Sequence, residues 1–192
     1  MGCMRILLLA SRPEDADTVE ASLLDVGHTV ASCRDADGGP CRGLHHHGLE
    51  HHEGCPLETS VDVAVIARGR GTEATLDEMG AFCAARHRVG VIRVDPADPR
   101  TDSLYELADA AERSVCAAYE ASVRLYLARA LPEAPEPIVS VTRHDADVQV
   151  SLLLDCQVDQ FLTGALADRA RVAVRDYDPY ARVIDIVVVP PR

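Results

Sequence analysis

The chain has 192 residues, 47% of them hydrophobic, and a formal net charge of −12, with 31 acidic residues against 19 basic ones. A protein of this size and composition can bury a core of its own, but its charge repels phosphate backbones and anionic membranes. The sequence has no basic stripe and no apolar run long enough to span a bilayer. We therefore expect a cytoplasmic protein that binds neither nucleic acid nor membrane. The lack of Lys and Asn is typical of GC-rich bacterial genomes.

The first half of the chain alternates predicted strands with predicted helices. Four short apolar runs predict buried strands: 5–10, 28–33, 61–67 and 89–94. Ser11 to Glu14 has the pattern of a capping box, which predicts a helix that ends near Gly27, and a second helix is predicted over 74–87. This alternation favours an α/β fold with a four-stranded parallel, doubly wound sheet.

The stretches MRILLLASRPEDADTVEASLLDVGHTV (4–30) and VDVAVIARGRG (61–71) carry this alternation. In their order of elements they resemble a bacterial response-regulator receiver domain, which has a flavodoxin-like fold. The resemblance implies an acidic pair after the first strand and a phosphoacceptor aspartate after the third. This sequence instead has Ala10, Ser11 and Arg12 at the first place and Ala67–Arg68 at the second. We therefore expect neither an acyl phosphate nor a magnesium site.

A turn-rich linker after residue 95 leads to a predicted helix over 103–130, about 40 Å long. Its apolar and small residues follow the 4-3-4-3 spacing of a helix that packs along another helix. This stripe consists of Leu104, Ala108, Ala111, Val115, Ala118, Ser122 and Leu125. It predicts either packing within its own domain or a homodimer through the 103–130 helix.

The C-terminal part reads as a small β-β-α-β module. Its elements are predicted at 138–142, 148–154, 156–175 and 182–189. It is similar in pattern to alkaline-shock or KH-like α+β modules, although it lacks the GXXG loop of KH domains. The expected domains are therefore 1–98, which includes a metal-binding loop at 33–60, then a connecting helix at 99–131, and the module at 132–192.

A loop rich in Cys and His occupies the place where such a fold normally has a helix between its second and third strands. Residues 34–60 contain five glycines and two prolines and show no helical periodicity. A connection of this length needs a cross-link to be ordered. Its thiolates could provide one by binding a metal ion. The predicted metal ligands are Cys33, Cys41, Cys55 and Cys83.

Several alternatives to this metal site remain open. A histidine within 45–52 competes with Cys83 as the fourth ligand, and the metal is either structural zinc or a sensing iron–sulfur cluster. The cysteines could instead be surface or core thiols, or form a switching disulfide. The histidine run could be a separate weak metal site or a solvated insert.

The carboxyl ends of the strands are the usual ligand-binding edge of an open α/β sheet. Here that edge is predicted to gather Ser11, Arg12, Cys33, Arg34, Arg68, Arg70 and Asp95, a set that could bind an anion. Cys156, near a predicted helix start, could have a lowered thiol pKa. The preferred interpretation is a non-catalytic regulatory or adaptor protein with an unknown protein partner. The alternatives are a thiol-redox or anion-substrate enzyme that uses the strand ends, and a scaffold without metal.

Overall fold

The computed structural model describes residues 3–33, 55–99 and 103–191. Its first sheet contains four parallel strands, in the order β2-β1-β3-β4. The strands are β1 (Arg5–Ala10), β2 (Thr29–Ser32), β3 (Val63–Ala67) and β4 (Gly90–Val94). This confirms the predicted four-stranded parallel sheet within a mixed α/β fold.

The strand order reverses direction between β1 and β3, which lie side by side in the centre of the sheet. In an open parallel sheet this reversal opens a crevice beyond the carboxyl ends of the two strands. The residues that follow β1 and β3 are Ser11 and Arg68. The topology therefore brings together two residues that lie 57 positions apart in the sequence.

Four α-helices are present in the described part of the chain: α1 (Pro13–Asp25), α2 (Gly80–Arg86), α3 (Leu104–Ala130) and α4 (Gln160–Tyr177). Helix α1 ends as predicted, because Gly27 has a φ of 88°, a left-handed conformation that suits a residue without a side chain. Within the described ranges, no helix combines the length and apolar character required to cross a bilayer.

Alternate residues of β1 supply two separate apolar clusters, one on each face of the sheet. Ile6 and Leu8 pack with α1 and with Leu104 at the start of α3. Leu7 and Leu9 pack on the other face with Ala84 of α2. A strand that is buried on both faces reads as a continuous apolar run, which is why β1 could be predicted.

Helix α2 is shorter than the helix predicted over 74–87. Leu76–Glu78 form a turn of 3-10 helix, and the α-helix begins only at Gly80. A Cβ atom at position 80 would lie 2.5 Å from Leu9 Cδ2, so the absence of a side chain allows the start of α2 to approach the sheet closely. This close packing places the preceding turn at the carboxyl edge of the sheet, where Glu78 contacts Ser11.

The second unit has the predicted β-β-α-β order. Strands β5 (Ile138–His144) and β6 (Asp147–Leu153) form an antiparallel hairpin, and β7 (Ile184–Val189) lies parallel to β6. Its core takes valines and leucines from β5 and β6, Leu166 to Val174 from α4, and Tyr119, Val123 and Leu127 from α3. Tyr119 also donates a 2.5 Å hydrogen bond to the buried carboxylate of Asp178, just after α4.

The chain divides into two compact units, residues 1–112 and 113–192. The division lies inside α3, because the first turns of that helix belong to one core and its later turns to the other. In the first unit, Ala111 lies against Gly90 of β4. In the second unit, Val115, also a member of the predicted stripe, packs against the core. Much of the stripe therefore packs within its own unit.

Replacement of Gly90 by Ala tests the contact between α3 and the first sheet. A Cβ at position 90 would lie 2.8 Å from Ala111 Cβ and 3.4 Å from its carbonyl carbon. We expect overpacking to lower the free energy of unfolding by about 1–3 kcal/mol, measured by urea denaturation. Gly164→Ala in α4 is the control, since nothing lies within 4 Å of its added Cβ. It should raise stability by about 0.5–1 kcal/mol. Equal effects of the two variants would contradict this packing.

Candidate functional site

The carboxyl edge of β1 and β3 holds a buried network of polar side chains around Glu78. Ser11 Oγ donates a 2.7 Å hydrogen bond to Glu78 Oε1. Glu78 Oε2 lies 3.1 Å from Arg68 Nη2, as an ion pair in which the N–H does not point at the oxygen. The Thr75 N–H donates to Ser11 Oγ at 3.1 Å. We call Ser11, Arg68, Thr75 and Glu78 the edge network.

The edge network is sheltered from solvent. Glu78 is 5% exposed, and the Arg68 side chain is 19% exposed. An ionised carboxylate at such depth requires a charge partner and hydrogen-bond donors, and Arg68 and Ser11 supply them. Ser11 donates to one Glu78 oxygen and Arg68 forms an ion pair with the other, so groups of the chain itself contact both oxygens at the strand reversal.

The prediction that Ser11 opens a capping box for α1 is wrong. The residue before the helix is Arg12, whose side chain makes no cap hydrogen bond, and Pro13 occupies the first turn. Pro needs no partner for a backbone N–H, so the helix can begin without a side-chain cap. The Ser11 hydroxyl is turned to Glu78 instead.

The other predicted members of the strand edge are divided among separate contacts. Arg70, whose side chain is 94% exposed, lies 3.6 Å from the carboxylate of Asp95. Arg93, which was not predicted, donates to the backbone carbonyls of Arg68 and Gly69 at 3.2 and 2.7 Å. Arg12 is exposed, and Arg34 lies outside the described residues. The arginines at this edge therefore contact protein carboxylates and carbonyls in addition to solvent.

A second cluster lies on the face of the sheet covered by α2, and it contains three of the four predicted metal ligands. Cys33 follows β2, Cys55 precedes a short 3-10 turn (Pro56–Glu58), and Cys83 belongs to α2. Cys33 is buried in the apolar cluster that includes Leu7 and Leu9, and Cys55 and Cys83 pack partly buried against it. We call this cluster of Cys33, Cys55 and Cys83 the thiol face.

The start of α2 directly contacts the thiol face. A Cβ on Gly80 would lie 3.3 Å from Cys33 Cβ and 3.4 Å from Cys33 Sγ. Leu76, in the turn before α2, is 70% exposed. The residues of α2 that are buried are Gly80 and Ala84.

The remaining predicted ligands cannot be placed. Cys41 and the histidines at 45–47 and 51–52 lie outside the described residues. Among the residues that are described, no three His, Cys, Asp or Glu side chains are grouped closely enough to hold a metal ion. Cys33, Cys55 and Cys83 thus share one cluster but do not form a metal cage by themselves.

Glu78 is the important residue that the sequence reasoning missed. The sequence pattern that could have pointed to it is a capping box, Thr75-Leu-Asp-Glu78. Thr75 does act as the N-cap, and its hydroxyl accepts from the Asp77 N–H at 3.3 Å. The Glu78 carboxylate, however, makes long-range contacts with Ser11 and Arg68. The pattern could have located the turn, but the partners of Glu78 depend on the strand order.

The expectation of a lowered pKa at Cys156 is wrong in direction. Asp159 caps α4 by accepting from the Leu162 N–H at 2.7 Å, so the helix begins at Gln160 and Cys156 lies outside it. Partial desolvation raises the pKa of the Cys156 thiol, and the neighbouring Asp155 raises it further through its charge and a hydrogen bond. Cys156 is therefore a poor candidate for a reactive thiolate.

Comparison with known proteins provides little further information. No protein-family model and no curated protein matches the sequence. Among solved structures, the chain is similar to a "putative oxidoreductase" from Jannaschia sp. CCS1, with 15% identity and a TM-score of 0.29. The similarity covers 99% of this chain and 64% of that protein, so the chain spans less than two thirds of its length.

Asp155→Asn tests the cause of the raised pKa at Cys156. Removal of the carboxylate charge favours the thiolate, so the pKa should fall and alkylation at pH 8 should become faster. Mass spectrometry of the Cys156 peptide after iodoacetamide labelling across pH 7–10 measures this shift. Asp168→Asn, an exposed aspartate in α4, is the control. An unchanged pH profile for Asp155→Asn would contradict the assignment.

Proposed function

We propose that the chain is a non-catalytic, cytoplasmic regulatory or adaptor protein with a Cys-ligated metal site in a receiver-like unit. The proposed ligands are Cys33, Cys55 and Cys83 of the thiol face, together with Cys41. The metal is structural zinc or a sensing iron–sulfur cluster. A histidine within 45–52 is the competing fourth ligand.

The observation that carries this proposal is the convergence of three cysteines from distant segments. Cys33 and Cys55 are the last and first described residues on either side of the segment that contains Cys41. They share one cluster with Cys83 of α2. The three thiols share one cluster without being close enough to hold a metal ion among themselves, so the proposed tetrahedral site requires them to draw together with Cys41 or a histidine within 45–52.

The receiver-like assignment is supported by the strand order and by helices on both faces of the sheet. The absence of phosphoacceptor chemistry is supported by the edge network. Arg68 stands where a receiver would carry its acceptor aspartate, and its guanidinium is paired with Glu78. An arginine cannot accept a phosphoryl group as a carboxylate does.

The anion-substrate enzyme is less well supported than the regulatory protein. Arg68, Arg70 and Arg93 each contact a carboxylate or carbonyl of the chain. An anion that bound through Arg68 would have to compete with Glu78 for its guanidinium. The raised pKa at Cys156 likewise gives no support to thiol-redox catalysis at that residue.

Metal content provides the direct test of the proposal. Protein purified anaerobically should contain metal in a fixed stoichiometry by elemental analysis, and Cys55→Ser should lose most of it, because the site then lacks one thiolate. Strong visible absorption would identify an iron–sulfur cluster, whereas a colourless protein with stoichiometric zinc would identify a structural site.

Cys156→Ser is the matched control for Cys55→Ser, since Cys156 is exposed and lies in the other unit. It should retain the metal content of the unmodified protein. If the unmodified protein holds no stoichiometric metal, or if Cys55→Ser and Cys156→Ser hold equal amounts, the proposed metal site is wrong.

We also propose a homodimer through the 103–130 helix. Only part of the predicted stripe is available for this contact. Ala111 contacts Gly90 in its own unit, and Val115 packs on the second core. Ala118 and Ser122 are half-buried, and Leu125 is 55% exposed. Any dimer seam would therefore use the section from Ala118 to Leu125.

Substitutions at two neighbouring alanines of α3 distinguish a dimer interface from a solvent-facing helix surface. Ala118→Glu places a charge in the stripe, and Ala117→Glu places the same charge at an exposed position next to it. We expect Ala118→Glu alone to halve the molar mass measured by light scattering. A monomeric unmodified protein, or equal masses for both variants, would reject the dimer.

A further inference from the structure

We propose that the edge network is a latch on helix α2 and that it controls access to Cys33 on the thiol face. The latch consists of Ser11 and Arg68 from the ends of β1 and β3, which hold Glu78 in the turn that precedes α2. This inference rests on the proposed function only where it concerns what the thiols do, namely bind a metal. Its contacts do not depend on a bound metal.

One short segment joins the edge network to the thiol face. Thr75 and Glu78 belong to the edge network, and Gly80, two residues further on, packs against Cys33. Cys83 follows one helical turn after Gly80. A movement of the turn at 75–79 therefore moves the residues that cover Cys33.

Both contacts of this segment are made by the end of β1 and the residue after it. Ser11 follows the last residue of β1, and Leu9 lies within that strand. Ser11 binds Glu78, and Leu9 lies so close to Gly80 that a Cβ there would be 2.5 Å from its Cδ2. No side chain of residue 80 fills the space between helix and sheet. Separation of the start of α2 from β1 would thus remove one of the contacts that bury Cys33, which is 8% exposed.

Glu78 is buried, so the loss of its partners has a large effect on the segment. A carboxylate that is 5% exposed and loses its arginine must regain water, and water can reach it only if the turn opens. The latch therefore has two arrangements: a dry one with α2 closed and a hydrated one with α2 released. Coupling of this kind is reciprocal, so chemistry at Cys33 also biases the edge network.

The experiment compares Glu78→Gln with Arg70→Gln in the full chain under reducing conditions without added metal. Glu78→Gln removes the charge that pairs with Arg68 at nearly unchanged size. Arg70→Gln removes an exposed ion pair at the same edge of the sheet and is the control. The readout is the iodoacetamide labelling rate of the Cys33 peptide, normalised to that of the exposed Cys156.

We expect Cys33 to be labelled about tenfold faster in Glu78→Gln, which corresponds to about 1.4 kcal/mol in the opening equilibrium. Arg70→Gln should match the unmodified protein. Hydrogen exchange should become faster at residues 78–86 and stay slow in β1, as required for local rather than global opening. Ser11→Ala keeps the ion pair and should raise the labelling rate of Cys33 by about threefold. It replaces Glu78→Gln in the test if that variant does not fold.

Equal Cys33 labelling in Glu78→Gln, Ser11→Ala and Arg70→Gln would overturn the latch, as would faster exchange in β1 to the same extent as in α2. The metal proposal fails on a different result, namely the metal content of the unmodified protein. The two failures can therefore be told apart.

Discussion

The ion pair between the buried Glu78 and the partly exposed Arg68 is the constraint that ties the turn before α2 to the first sheet. A charged pair at this depth is stable only if hydrogen bonds compensate for the lost hydration, and Ser11 provides one to Glu78. This requirement joins the ends of two central strands to the turn before α2. These contacts lie beyond the carboxyl ends of β1 and β3, where an open α/β sheet normally binds its ligand. The polar edge of the sheet is thus used for internal structure.

The same constraint connects two features that the sequence presents as unrelated. Arg68, directly after β3, and the cysteines of the thiol face look independent in the linear chain. In the fold, α2 lies between them, with Glu78 before it and Cys83 within it. One short helix therefore connects the contacts made before it with those made within it.

Much of the secondary structure could be predicted, and the reasons are local. The apolar run of β1 is buried on both faces, and Gly27 marks the end of α1 by its positive φ. The start of α4 was placed four residues early, because the apolar pattern near Cys156 preceded the true cap at Asp159. For the site, the gathering of Ser11 and Arg68 followed from the parallel topology. Glu78 did not, since its role arises from contacts across 67 and 10 positions in the chain.

The two compact units of the chain are connected within a continuous helix, α3. Two-unit proteins are commonly connected by an open segment whose free amides invite proteolysis. Here the division at 112/113 lies within 27 continuous helical residues, and a cut there would leave up to four carbonyls and four amides without helical partners. A protease would therefore find few extended peptide bonds at the junction. A cut at this junction is consequently an unfavourable way to separate the two units.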